Sequence, residues 1–214
     1  LDGGCGLGEW TVHFTGAGYR VLGLDISREI IAALRESHPD AEFRAGDIRA
    51  TGLPMESFDA YFTWGTFEHF QEGLRECIVE ALRILKPGGY LFATVPFDNL
   101  RLAWTPGANP EPEPKAEAGA TRFYQWRLTR AELLDELTEG GFEVLDIRMI
   151  HKRQGIVRLL NQTLGLPWQS LVTRSLGIAL APFVPAKVFA HMLMGVARKP
   201  VDHANRGGRR DNHA

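Results

Sequence analysis

The chain of 214 residues is poor in cysteine, with only Cys5 and Cys77. Two such thiols make no disulfide framework, and C-x-x-C spacing is absent, so no metal is expected. The same thiol usage fits a reducing cytoplasm. Excess charge of either sign is missing too. A formal net charge of −2 supplies no basic surface to neutralise phosphates, so nucleic acid is not an expected partner. No starter methionine is present, and the opening "LD" reads as the end of a strand. The chain is therefore expected to lack an N-terminal segment, and no signal peptide is visible. Long uninterrupted apolar runs are also scarce. The best candidate, "SLGIALAPFVPAKVFAHMLMGVA", is broken by Pro182, Pro185, Lys187 and His191, which argues against a membrane-spanning helix.

What remains is an ordinary soluble composition, 44% hydrophobic and 23% charged, on a length suited to one α/β domain. Strand-length apolar runs alternate with segments of helical period, the pattern of a parallel sheet covered by helices. "LD", "YRVLGLDIS", "AEFRAGD", "FDAYFTW" and "YLFATVP" read as the first five strands, "FEVLDIRMI" and "HMLMGVARK" as the sixth and seventh. A helix follows the glycines over about 8–16. Ser27 is placed to cap "REIIAALRESH", whose Ile30, Ile31 and Leu34 share a face. "LRECIVEALRIL" is amphipathic, with "KPGG" expected to stop it and Lys86 in its last turn. Thr129 and Glu132 have capping-box spacing.

The domain is expected to span 1–199. Within it, 98–121 is rich in Pro, Ala and Glu and reads as a lid or as disorder. Residues 153–188 form an apolar, mildly basic helical insert, and 200–214 a disordered tail with Arg206, Arg209 and Arg210. The insert is expected to cover a pocket rather than touch a lipid surface, although Arg158 and Arg174 lend it basic character. No feature specifies an oligomer.

The opening "LDGGCGLGEW" carries the chemistry. A phosphate-cradling loop needs Lys-Ser/Thr after its last glycine, and none is present. The dinucleotide pattern G-x-G-x-x-G fails in each register, because Glu9, Thr11 or Cys5 falls where glycine is required. A nicotinamide-dependent reductase is disfavoured on that ground. The pattern left is D-x-G-x-G-x-G, with Asp2, Gly4, Gly6 and Gly8 between a strand end and a helix start. Open α/β sheets bind ligands at that crevice, and alternate glycines let bare backbone approach them. A tight turn without a ligand is the other reading of these glycines.

This motif resembles the first motif of the class I S-adenosylmethionine-dependent methyltransferases. "FDAYFTWGTFEHFQE", "LRECIVEALRILKPGGYLFATVP" and "LTRAELLDELTEGGFEVLDIR" extend the likeness over about 1–150, and it resumes at 191–199. The resemblance implies a Rossmann-like doubly wound sheet in three α/β/α layers, mostly parallel with an antiparallel last strand. It also implies S-adenosylmethionine as cofactor and a small-molecule methyl acceptor through O, N or C.

Carried over residue by residue, Asp25 would hold the ribose hydroxyls and Ile26 lie against the adenine. Asp47 would meet the adenine amine, with the Ile48 backbone on the ring edge. Thr63 and Trp64 would offer backbone to the methionine end. Each aspartate also has a plainer reading, Asp25 as a helix cap and Asp47 as a turn residue.

His69, in the Glu68-His69 pair, is the candidate general base, since imidazole titrates near neutral pH; the pair could instead only order its loop. Trp64, Phe67, Phe70, Trp104, Tyr124 and Trp126 gather near the expected mouth, Tyr124 and Trp126 being the candidate contacts for an apolar or aromatic acceptor. Gly3 departs from the resemblance, where a bulky apolar residue is usual, and is expected to loosen the strand end. A scaffold that keeps the fold without turnover is the alternative reading.

Overall fold

Leu22 and Leu24 face one side of their strand and Gly23 the other, and this alternation separates two hydrophobic cores. The computed structural model describes residues 1–100 and 125–201. Its strands are β1 (Asp2–Gly3), β2 (Leu22–Asp25), β3 (Glu42–Ala45), β4 (Phe58–Trp64), β5 (Leu85–Pro96), β6 (Glu143–Ile150) and β7 (Met192–Arg198). They form one sheet in the order β3-β2-β1-β4-β5-β7-β6. The first five run parallel, and β7 is antiparallel to both β5 and β6. The doubly wound sheet expected from the sequence, with its antiparallel last strand, is the one formed.

The helices are α1 (Glu9–Gly16), α2 (Arg28–Ser37), α3 (Arg75–Ile84), α4 (Arg130–Glu139), α5 (Lys152–Leu164), α6 (Leu171–Leu180) and α7 (Ala186–Phe189). Ser27 caps α2, its hydroxyl accepting the Ile30 amide at 3.3 Å. Ile31 and Leu34 of that helix close on Phe43 as the smaller core. On the opposite face α3 delivers Cys77, Ile78, Ala81 and Ile84, and α4 delivers Leu133 and Leu137, to the larger core with Tyr61, Leu91 and Leu193. The capping box of α4 is complete. Thr129 Oγ1 accepts the Glu132 amide at 3.3 Å and Glu132 Oε2 accepts the Thr129 amide at 2.7 Å.

Two sequence expectations need correction. The "KPGG" segment does not cap α3 and Lys86 is not in its last turn, because the helix ends at Ile84 and β5 begins at Leu85. The glycines instead serve a bulge, where pairing jumps from Phe58↔Leu85 to Ala60↔Tyr90. A Cβ on Gly89 would lie 2.9 Å from the Lys86 carbonyl, and Lys86 Nζ reaches Asp59 Oδ1 at 2.7 Å. Gly3 does not loosen its strand either. A Cβ there would collide with the Tyr61 ring, which is fully buried and fills the space a larger residue would take.

The segment after β6 folds as α5, α6 and α7. Gly155 of α5 lies against the Phe189 backbone, and Gly177 of α6 against Val157. Residues 101–121 of the expected lid and 202–214 of the tail lie outside the described residues.

Candidate active site

The strand order reverses between β1 and β4, so the loop leaving β1 opens at the edge where such sheets accept ligands. Gly4, Gly6 and Gly8 all adopt left-handed backbone, with φ of 75°, 50° and 74°. Side chains rarely tolerate that region, so the three glycines are required by conformation alone. They differ in surroundings. A Cβ on Gly4 would collide with Thr66, and one on Gly8 would lie 2.9 Å from Leu34 and Phe43. A Cβ on Gly6 would meet nothing within 4 Å among the described residues. Gly6 is thus the point where bare backbone meets open space.

Asp25 sits beside it. Its Oδ2 accepts the Gly6 amide at 2.9 Å and its Oδ1 the Ser27 amide at 3.0 Å. An ionised carboxylate has about four lone-pair sites, so each oxygen keeps capacity for one further donor, as a vicinal diol requires. Because Ser27 caps α2, Asp25 does not serve as that cap. Ile26 follows at 69% exposed, and Leu7, next to Gly6, is 73% exposed. Two bare aliphatic side chains flanking a fixed carboxylate suit a flat apolar ring. The sequence pointed to Ile26 but not to Leu7, which carries no periodic signal.

Asp2 is buried and takes the Thr11 hydroxyl at 2.7 Å. Burial raises its carboxyl above the usual carboxylate range, against the opposing pull of that hydrogen bond. It fastens α1 to the strand beneath the glycine loop and shapes the cleft from below.

Asp47 stands after β3 with its carboxylate clasped by Arg49, whose terminal nitrogen lies 2.7 Å from Oδ2 and whose backbone amide lies 2.9 Å from Oδ1. The side-chain bonds from Arg49 hold its carboxyl below the usual range. The guanidinium also covers the Phe70 ring at 4.5 Å from its centroid. Arg49 and Phe70 were not singled out as cofactor neighbours from the sequence, because their pairing joins distant segments. Ile48 turns its side chain into the main core, leaving its backbone beside Asp47.

Thr63 is fully buried, and among the described residues its hydroxyl has no hydrogen-bond partner. The Trp64 ring lies 5.7 Å from Trp10 and 5.8 Å from Phe62. It lines a cleft of about 830 Å³ with Phe14, Tyr19, Phe58, Phe62 and Phe92, whose lining includes none of the three glycines. Phe67 is core. Trp104 and Tyr124 lie outside the described residues. Trp126 is at the mouth, its indole donating to the Phe70 carbonyl and its amide to the Glu68 carbonyl, both at 2.9 Å.

A single 3-10 turn over Phe67–His69 exposes His69 and buries Glu68. Glu68 is 2% exposed and its Oε2 lacks a hydrogen-bond partner among the described residues. Burial pushes this carboxyl up to about 7, only partly offset by a backbone hydrogen bond and by His69. Burial also pushes the Cys5 and Cys77 thiols up to about 12, so neither is a nucleophile near neutral pH. Among the described residues, no three His, Cys, Asp or Glu side chains gather as a metal site.

Residues 1–93 match the family described as methyltransferase domain. A malonyl-(acyl-carrier protein) O-methyltransferase of Erwinia billingiae is 33% identical over 117 residues, covering 52% of this chain and 46% of that protein. The chain spans less than half the length of the curated relatives it matches. Among solved structures, a SAM-dependent methyltransferase of Methanosarcina mazei superposes with a TM-score of 0.63 at 21% identity, over 94% of this chain and 92% of that one. The (4+2)-cyclase SpnF superposes with a TM-score of 0.60 at 23% identity, over 94% and 75%. These two likenesses establish the fold.

Proposed function

From a chain whose residues 1–93 match the methyltransferase-domain family, we propose an enzyme that transfers methyl from S-adenosylmethionine to a small apolar or aromatic acceptor. The observation that carries this reading is the Asp25 carboxylate, held by the Gly6 and Ser27 amides with its remaining lone pairs available to a ribose. Leu7 and Ile26 would bracket the adenine, and Asp47 would take its amine by loosening one bond from Arg49. The backbone at Ile48, Thr63 and Trp64 would line the rest of the donor cleft.

When bound, S-adenosylmethionine supplies a methyl group on a sulfonium sulfur that leaves as a thioether. The protein's own contribution is alignment, which in favourable cases is worth about 7–11 kcal/mol. His69, exposed at the turn after β4, is the residue we assign to accept a proton from a hydroxyl or amine acceptor. Trp126, braced on Phe70 and Glu68, would form one wall for the acceptor, and Tyr124 is the second acceptor contact we propose from the sequence.

Calorimetric titration with S-adenosylhomocysteine tests the donor site, and tritium transfer from labelled S-adenosylmethionine to a metabolite extract tests turnover. No detectable binding would refute the reading. Binding without transfer would instead favour a non-methylating protein on this fold, as the likeness to a cyclase illustrates.

A further inference from the structure

Charge is unevenly distributed along this chain. Acidic residues outnumber basic ones overall, 26 to 24. Yet between Lys152 and Phe189 the only charged residues are Lys152, Arg153, Arg158, Arg174 and Lys187, and none is acidic. This is the stretch that folds as α5, α6 and α7. Among the described residues, no ion pair forms to Arg153, Arg174 or Lys187, and all three are exposed.

The apolar surface of the same stretch is turned outward. The face of α6 that packs inward is small and narrow, carrying buried Thr173 and Gly177, with Gly177 against Val157 of α5. At 100° per residue, Leu171, Ser175, Ile178 and Ala179 fall on the opposite side of the helix. Leu171 is 79% exposed, Val172 60% and Ile178 53%. The turns at either end add Leu164 and Trp168 before the helix and Phe183, 85% exposed, after it. Isolated exposed apolar residues need no explanation, but a run of them along one short helix marks an interaction surface. α6 is too short to cross a bilayer, and among the described residues no helix is long and apolar enough to do so.

We propose that α6 and its flanking turns lie in the surface of an anionic membrane, with Leu171, Ile178, Trp168 and Phe183 entering the headgroup boundary and Arg153, Arg174 and Lys187 meeting lipid phosphates. Charge complementarity selects this occupant: a stretch with three exposed cations and no acidic residue attracts a surface of acidic headgroups and is screened by salt. An indole and a phenyl ring at the two ends of the helix suit the interfacial region. The sequence favoured a pocket cover here. The proposal departs from that reading because the inward face of α6 carries small-residue packing while its large apolar side chains are exposed.

The test is co-sedimentation of the chain with phosphatidylcholine vesicles, with and without phosphatidylglycerol, at low and high salt. It needs neither cofactor nor acceptor, so its outcome is separate from that of the methyltransferase reading. The protein should pellet with the anionic vesicles, and salt or omission of phosphatidylglycerol should release it. The double variant Leu171→Ser with Phe183→Ser should lower the partition coefficient roughly 10-fold or more. Arg174→Glu with Lys187→Glu should lower it roughly 10-fold or more on anionic vesicles only. Both variants should keep the wild-type melting temperature, since all four side chains are exposed. Failure to pellet with anionic vesicles would overturn the proposal, as would variants that pellet like the wild type. Concentration-dependent dimers abolished by the serine variant, with no vesicle binding, would assign the face to a second copy instead.

Discussion

The amide of Gly6 donates to Asp25 Oδ2 at 2.9 Å, tying the glycine loop to the end of the neighbouring strand. One carboxylate thus fixes the shape of the loop and presents its unused lone pairs beside it. Asp25→Ala removes both functions. The expected result is roughly 10- to 100-fold weaker binding of S-adenosylhomocysteine by calorimetry. Unchanged affinity would show that the ribose is held elsewhere.

Gly4 and Gly6 should respond differently to the same substitution. Both have left-handed backbone, so alanine costs about 1–2 kcal/mol at either. At Gly4 the new methyl also strikes Thr66, whereas at Gly6 it enters empty space. Gly4→Ala should therefore lower the melting temperature the more of the two. Gly6→Ala should lose only that backbone cost in stability, about 1–2 kcal/mol, yet lose most donor binding. Equal losses of binding and stability in both variants would contradict a cleft at Gly6.

Glu68 should leave a signature in the pH dependence of stability. Burial raises its carboxyl from 4.5 to about 7, so the folded chain holds this proton more tightly than the unfolded one. The associated stability is complete below 4.5 and is lost as pH climbs through about 7. Glu68→Gln carries no charge at any pH and escapes that loss. In urea unfolding across this range, the variant should gain on the wild type as pH rises, by about 3 kcal/mol in total. A difference constant with pH would rule this out.

Tyr61 offers a gain in stability. Its ring is fully buried and its hydroxyl has no hydrogen-bond partner among the described residues. Tyr61→Phe keeps the packing against Gly3 and removes an unsatisfied polar atom, which should stabilise the fold by about 1–2 kcal/mol in urea unfolding. Destabilisation would mean that the hydroxyl has a partner in solution.

The layout of the fold was legible because its signals are local. The apolar runs of β2, β4 and β5, the Ser27 cap and the Thr129–Glu132 box each lie within a few adjacent residues. The geometry around the glycine loop was legible for a related reason: Asp25 ends its strand, and the glycines carry their φ preference in their identity. What stayed hidden depends on partners far apart in sequence. Gly3 looked like a weakness until Tyr61 was seen to occupy its space. The bond between Asp47 and Arg49 spans two residues, but its significance rests on Phe70 closing over the guanidinium. The buried state of Glu68 follows from how the turn after β4 docks, and a sequence pattern does not encode that. The exposure of α6 was missed because composition reports how apolar a helix is and not which way it faces.

The glycine turn and Asp25 lie within the first fifty residues, whereas α5, α6 and α7 enter only after the sixth strand. Grafting another chain's segment between His151 and Met192 would therefore exchange the face proposed to meet a membrane and leave the glycine turn untouched. Where such a chain docks can then be altered without disturbing the turn to which its donor chemistry is assigned.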